Sequence, residues 1–318
     1  MKKINWGVLG YAGIARKHVL PAMLKTESSV PYAIASRSDE KLHQAVESFG
    51  FKKVYHTYDE LLDDEEVDAV YIPLPNALHK EWVIKAAKKG KHVLCEKPLA
   101  LHENDVMEMI AVAKECNVKL MEAFMYRFTP RTAKVVELLE SGVIGKIGQI
   151  NSNYSFYLEN YDDIRMSREL GGGSLHDVGC YPVNFISMVL KDHPQSISAQ
   201  AIKKQGVDVA LTASLRYEGD VLATVNCSFL GDSVELTEIT GSTGTLVIRD
   251  TFYDSDLPIL LYRGEEETAY SVEPCDRYQK ELEAFADCIL NDTEVPLSLE
   301  ESVMNNRLIR EILEAVEK

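Results

Sequence analysis

The sequence predicts a two-domain protein of the α/β class. A parallel sheet with helices should occupy residues 1–123, and an α+β domain with a mostly antiparallel open sheet should occupy residues 124–318. Three observations carry this. Up to Ala123, short apolar runs alternate with longer stretches whose apolar residues recur at three and four spacings, the pattern of βαβ units. Beyond Tyr126 the pattern changes to period-two alternation broken by turn signals such as Glu218-Gly219-Asp220. And the first apolar run ends in a glycine-rich turn that leads straight into a helical pattern.

The elements follow in order. Strands are expected at Asn5 to Leu9, Tyr32 to Ala35, Ala69 to Ile72, His92 to Cys95 and Lys119 to Glu122. Between them, helices are expected at Ala15 to Lys25, Asp39 to Phe49, Lys80 to Lys89 and Asn104 to Glu115, with Gly50 and Gly90 where C-terminal caps belong. The second half should hold strands at Ile147 to Leu158, Ser196 to Ile202, Val209 to Tyr217, Asp220 to Phe229, Ser233 to Thr240 and Gly244 to Arg249. Its helices should be Thr132 to Ser141, Cys180 to Leu190, Gln279 to Leu290 and Leu299 to Val316.

Composition narrows the function classes. A formal charge of −16 leaves no basic stripe to neutralise a nucleic-acid backbone, so no nucleic-acid partner is expected. Six cysteines lie scattered with no C-x-x-C pair, which signals neither a disulfide framework nor a zinc site, so no metal is expected. No apolar run reaches the ~18 residues of a membrane span. These features together predict a cytoplasmic protein with no membrane partner.

The glycine-rich turn reads Gly10-Tyr11-Ala12-Gly13-Ile14-Ala15. A dinucleotide fingerprint needs such a turn between strand and helix, because backbone amides at a helix N-terminus then face the pyrophosphate. Aligned from Gly10, the usual second glycine is Ala12 and the third position is Ala15, with Gly13 beside them to relax the turn. All six residues, Gly10 through Ala15, are candidate cofactor contacts in what is then a Rossmann-type domain. The second strand ends in Ser36 and Arg37, where an NAD site would place an acid. A hydroxyl and a planar cation suit a 2′-phosphate, so NADP is expected, with NAD as the alternative.

Three further segments carry a family resemblance. Pro73-Leu74-Pro75-Asn76-Ala77-Leu78-His79 follows the third expected strand, Glu96-Lys97-Pro98 follows the fourth, and Gly171-Gly172-Gly173-Ser174-Leu175-His176-Asp177-Val178-Gly179-Cys180-Tyr181 comes later. With the glycine turn, these resemble the glucose-fructose oxidoreductase, inositol dehydrogenase and rhizopine-catabolism (Gfo/Idh/MocA) family over essentially the whole chain. The resemblance implies that Pro73, Leu74, Pro75, Asn76, His79, Glu96 and Lys97 serve the nicotinamide end of the cofactor, with Pro75, Asn76 and His79 lining it and Lys97 pointing into a shared cleft. Tyr181 stands where many members have histidine, which is similar to the branch holding glucose-fructose oxidoreductase, dimeric dihydrodiol dehydrogenase and NADP-dependent xylose dehydrogenases. Thr129 departs from the histidine common at its place in that branch.

The implied activity is hydride transfer between the nicotinamide and a sugar, polyol or related hydroxyl or carbonyl compound. Loss of hydride from an alcohol carbon needs a base for the hydroxyl proton. Tyr181 is the candidate acid/base, assisted by the Lys97 ammonium, which would favour the phenolate. Asp177, four residues earlier, would orient substrate hydroxyls. Arg165, Arg168 and Tyr161 lie in the loop before the glycine run, and His176 beside Asp177 should point elsewhere. The alternatives are a trans-dihydrodiol or other non-sugar dehydrogenase, and a dinucleotide-binding regulator without catalysis. The resemblance also implies a homodimer or homotetramer formed through the open sheet.

Overall fold

The computed structural model describes residues 3–318; Met1 and Lys2 lie outside them. The chain falls into two compact units. One runs to Met125 and is rejoined by Asp276–Ser302; the other comprises Tyr126–Cys275 and Val303–Lys318.

The first unit is built on a six-stranded sheet of β1 (Ile4–Leu9), β2 (Ser29–Ala35), β3 (Lys53–Tyr55), β4 (Ala69–Ile72), β5 (His92–Glu96) and β6 (Leu120–Ala123). Every pairing in it is parallel, in the order β3-β2-β1-β4-β5-β6. The order reverses between β1 and β4, and beyond the carboxyl ends of strands at such a switch point an open sheet leaves a crevice for a ligand. Helices α1 (Leu20–Lys25), α2 (Asp39–Phe49), α3 (Tyr58–Leu62), α4 (His79–Lys88) and α5 (Glu103–Glu115) connect the strands. Covered on both faces, β4 is buried at all four residues, as a parallel strand must be. The boundaries of α2 come from its caps: the Ser38 hydroxyl accepts from the Lys41 amide, and Gly50 at φ +71° takes the left-handed turn that ends it.

The second unit carries an eight-stranded sheet of β7 (Ile147–Tyr157), β8 (Ser196–Lys204), β9 (Val207–Tyr217), β10 (Val221–Ser228), β11 (Leu230–Gly241), β12 (Thr245–Arg249), β13 (Ile259–Arg263) and β14 (Glu266–Tyr270). Its order is β14-β13-β12-β11-β7-β10-β9-β8, antiparallel except where β10 runs parallel to β7. Helices α6 (Pro130–Glu140) and α7 (Cys180–Leu190) belong to this unit. Along β10, Val221, Ala223, Val225 and Cys227 are buried while Leu222 is exposed, so one face makes the core and the other stays open. Helix α7 lies against β7 and β10, and every residue from Cys180 to Met188 is buried.

Two helices close the chain, α8 (Arg277–Leu290) and α9 (Leu299–Val316). The sequence reading assigned α8 to the second domain, yet it packs on the first unit, against α1 and β2. Its apolar face supplies Leu282 and Phe285, both wholly buried, and the Phe285 ring lies 5.8 Å from that of Trp6 in β1. Asp276 starts the helix by accepting from the Gln279 amide and also holds Lys25 of α1 at 2.7 Å. Among the described residues, four strands and α-helices were not expected from the sequence. They are β3 and α3, which are only three and five residues long, and the hairpin of β13 and β14.

Both tryptophans, Trp6 and Trp82, lie in the first unit, so their fluorescence reports on its unfolding. Phe285→Ala should destabilise that unit by about 3–5 kcal/mol, the usual cost of emptying a buried aromatic site. Urea titration followed by tryptophan emission checks this, and an unchanged midpoint would mean that α8 is not part of that core.

Candidate cofactor and substrate sites

In the first unit, the glycine turn sits at the carboxyl end of β1. Gly10 has φ +99°, and its amide donates to the Ala35 carbonyl at 2.9 Å, tying the turn to the end of β2. A side chain there would be strained and would crowd the Tyr58 hydroxyl and Leu74. Gly13 is exposed, and a Cβ on it would meet nothing within 4 Å, so the outer side of the turn is bare backbone facing open space. Tyr11 is buried against Phe49, Ala12 and Ile14 are half-buried, and Ala15 is wholly buried where the fingerprint needs close packing of helix on sheet. A five-residue π-helical turn, Ala15–Val19, leads into α1. Past β2, Ser36 is buried and its hydroxyl accepts from the Ser38 amide, while Arg37 is exposed. These residues fit a dinucleotide, and an exposed guanidinium with no carboxylate at the strand end fits one bearing a 2′-phosphate.

The segments after β4 and β5 are held together from behind. His79 is wholly buried, with Nε2 2.8 Å from the Leu74 carbonyl and Nδ1 3.0 Å from the Pro98 carbonyl. The ring expected to line the cofactor is thus spent on bridging the two turns. Burial pushes its pKa down, with the two carbonyls pushing against that. Pro73 is buried; Leu74, Pro75 and Asn76 are half-buried, as are Glu96 and Lys97, and the Lys97–Pro98 bond is cis. Two supports escaped the sequence reading. The wholly buried Tyr71 donates its hydroxyl to Glu96 at 2.6 Å, and the Glu122 carboxylate accepts the Leu99 amide at 2.8 Å just past Pro98. Glu96 also accepts from the Lys97 amide at 3.3 Å.

In the second unit the glycine run is a point of close backbone approach. A Cβ on Gly172 would lie 2.3 Å from the Arg165 carbonyl oxygen, and one on Gly173 would lie 2.3 Å from a carboxylate oxygen of Asp208. The Gly173 amide donates to that Arg165 carbonyl at 2.8 Å. Buried Asp208 accepts from the Ser174 hydroxyl at 2.6 Å and the Leu175 amide at 2.7 Å, which satisfies the start of the following turn. That turn, Leu175–Gly179, is again π-helical and carries Asp177; Tyr181 follows in the first turn of α7. Arg165 Nε donates to Asp177 Oδ2 at 2.6 Å, and Nη1 reaches Asp163 at 3.2 Å. The two carboxylates raise the Arg165 pKa, Asp177 above all, against the opposing effect of burial. Of the other loop residues, Arg168 is exposed and Tyr161 accepts from Lys204. His176 turns its Nδ1 back to the Gly172 carbonyl at 3.2 Å.

Tyr181 is 6% exposed and set among aromatic rings, with Tyr154 and Phe252 at 5.4 Å and Tyr126 at 6.1 Å. Burial, then the charges of Glu235 and Asp177 together with Tyr253, holds the Tyr154 phenol neutral by pushing its pKa up. Thr129, the departure from histidine, is the N-cap of α6 and accepts from the Thr132 amide. Among the described residues there is no group of three or more His, Cys, Asp or Glu able to hold a metal ion. No described helix is long and apolar enough to cross a membrane.

Residues 4–124 match the model of the oxidoreductase family with an NAD-binding Rossmann fold, and residues 132–247 match the GFO/IDH/MocA C-terminal domain. The chain belongs to the Gfo/Idh/MocA oxidoreductase family. This family member is 36% identical to D-xylose 1-dehydrogenase (NADP(+)) 2 of Haloferax volcanii, over 98% of this chain and 97% of that protein. It is 31% identical to the trans-1,2-dihydrobenzene-1,2-diol dehydrogenase of Xenopus laevis, over 98% of this chain and 97% of the relative. Among solved structures it superposes on KijD10, a 3-ketoreductase from Actinomadura kijaniata in complex with NADP and TDP-benzene, with a TM-score of 0.94 and 30% identity, covering 99% of this chain and 98% of that one.

One buried acid behind the Glu96 turn makes a pH-dependent prediction. Glu281 of α8 is 1% exposed, and its Oε1 has no hydrogen-bond partner. Burial first, then the neighbouring Glu96, pushes its pKa well up, with Arg277 pulling the other way. An unfolded glutamate titrates near ~4.3. From there up to the folded pKa the native state keeps a proton that the unfolded chain releases, so the residue costs stability as pH rises through that window. Glu281→Gln should therefore match the wild type near pH 4 and exceed it at pH 8. Denaturation midpoints across pH check this, and parallel profiles would refute it.

Proposed function

We propose that this chain is an NADP-dependent dehydrogenase or reductase acting on a CH–OH or carbonyl group of a sugar, polyol or related compound, with NAD as the alternative cofactor. The observation that carries the reading is the switch point of the six-stranded sheet: Gly10 at φ +99° and the open space beside Gly13, with Arg37 in place of an acid beyond β2. The relatives support the substrate class, since their names span a sugar, a diol and a ketoreductase with a nucleotide ligand. On this reading Gly10, Tyr11, Ala12, Gly13, Ile14 and Ala15 form the turn under the pyrophosphate, and Ser36 and Arg37 take the 2′-phosphate. Pro73, Leu74, Pro75, Asn76, Glu96 and Lys97 serve the nicotinamide end, with His79 behind them as a brace.

When bound, the nicotinamide accepts or donates the hydride. The chain's own part is to move the proton and orient the substrate. Tyr181 is assigned as the acid/base: its phenol oxygen takes the hydroxyl proton in oxidation and returns it in reduction. A phenol ordinarily titrates near ~10, so it needs a neighbouring cation to do this at neutral pH, and Lys97 is assigned that role. Asp177 accepts hydrogen bonds from substrate hydroxyls. The open face of the second sheet, with Leu222 49% and Ile202 55% exposed, is the proposed surface for a homodimer or homotetramer. Six free cysteines accord with a cytoplasmic setting.

A screen at 340 nm with NADP⁺ and NAD⁺ against aldoses, polyols and trans-dihydrodiols tests the reading. Tyr181→Phe should lower kcat by about 10²–10⁴-fold, the usual worth of a positioned acid/base, and leave the NADP⁺ dissociation constant nearly unchanged. Undiminished turnover would remove Tyr181 from the mechanism. Arg37→Ala should weaken NADP⁺ binding by about 10-fold or more while barely affecting NAD⁺, because a charge-assisted bond to the 2′-phosphate is lost. Equal effects on both would mean the guanidinium does not read that phosphate.

A further inference from the structure

Arg165 is more tightly fixed than a loop cation needs to be. Its amide donates to Asp163 at 2.9 Å, its carbonyl receives the Gly173 amide at 2.8 Å, and its guanidinium carbon lies 5.8 Å from the centre of the Phe156 ring. Nε is committed to Asp177 at 2.6 Å and Nη1 to Asp163 at 3.2 Å. A guanidinium carries about five N–H donors in a rigid fork, so these two contacts leave donors to spare. The side chain is 38% exposed, and that of Asp177 is 19% exposed. A carboxylate offers about four acceptor positions, of which this ion pair takes one.

We propose that Arg165 and Asp177 form a single reader for two oxygens on adjacent carbons of the substrate. One hydroxyl donates to Asp177, and the neighbouring oxygen, hydroxyl or carbonyl, accepts from the Arg165 guanidinium. The ion pair fixes donor and acceptor side by side, which matches the spacing of a vicinal diol or an α-hydroxy carbonyl. An isolated alcohol satisfies only half of it and leaves either a guanidinium donor or a carboxylate acceptor of the ion pair unmet, which is how a polar site rejects an analogue lacking one hydroxyl. Arg165 is thus a specificity-determining residue, and the substrate class narrows to compounds oxygenated beside the reacting carbon. This rests on the NADP-dependent reading above.

The test uses matched pairs, trans-cyclohexane-1,2-diol against cyclohexanol and D-glucose against 2-deoxy-D-glucose, with kcat/KM measured with NADP⁺ for the wild type, Arg165→Met and Arg165→Lys. The wild type should favour the vicinal member by about 10- to 100-fold, the range for a charge-assisted hydrogen bond. Arg165→Met should lose most of that ratio, falling further on the vicinal member than on its partner. Arg165→Lys should recover part of it, and NADP⁺ binding should be similar in all three. A wild-type enzyme that turns over both members equally overturns the proposal without any variant. So does an Arg165→Met protein that loses both equally. Wild-type protein that oxidises nothing in either series, with either nicotinamide cofactor, refutes the redox reading itself and this inference with it.

Discussion

A carbonyl oxygen and a methyl group cannot share a space 2.3 Å across, and the candidate substrate site of the second unit is arranged around a place where that rule binds. Gly172 lies so close to the Arg165 carbonyl that only a hydrogen fits, and Gly173 stands as close to the Asp208 carboxylate. From this contact the rest follows along the chain. Asp208 satisfies Ser174 and Leu175, the π-helical turn starts there, and Asp177 and Tyr181 take their positions on it. Wide π turns concentrate at functional sites because the extra residue re-aims side chains that an ordinary helix would direct elsewhere. The other π turn among the described elements, Ala15–Val19, follows directly on the glycine turn of the first unit.

The first unit uses a different device for the same end. Its candidate cofactor residues lie on turns, which are mobile unless braced. Here the braces are buried polar side chains reaching backbone groups or each other: His79 between two carbonyls, Glu122 on the Leu99 amide, Tyr71 on Glu96. A neutral imidazole has one N–H to give, so of the two carbonyls flanking His79 only one receives a proton at a time. Burial pushes the His79 pKa down and so favours that neutral form.

Much of this was legible in the sequence because local chemistry and periodicity agreed. Asp39–Phe49 follows from apolar residues at three and four spacings with Gly50 behind them, and Cys180–Leu190 and Leu299–Val316 are helices at the bounds expected. β4, an unbroken apolar run bounded by polar residues and proline, was equally plain. What was missed had weak or ambiguous signals. β3 is too short for periodicity to register, although Thr57 and Glu60 form a capping box that marks the start of α3. The face of α8 is evidently apolar, but an apolar face does not say which core it joins. The inward turn of His79 and the pairing of Arg165 with Asp177 depend on residues 5 to 19 positions away, or 12 in the second case, whose approach no local rule encodes.

The return of α8 to the first unit bears on how proteins of this build can be recombined. The dinucleotide-binding module matched by sequence ends at residue 124, whereas the folded body needs the segment that begins at Asp276 to cover Trp6. A chimera spliced at the sequence boundary would inherit its covering helix from the donor of the other half, with a Phe285 equivalent shaped for a foreign sheet. Successful grafts should therefore exchange Tyr126 to Cys275 together with Val303 to Lys318, in a host that keeps its own α8. The two units alternate along the chain, and lineages that trade substrate specificity by exchanging segments would be expected to leave that helix with its original sheet.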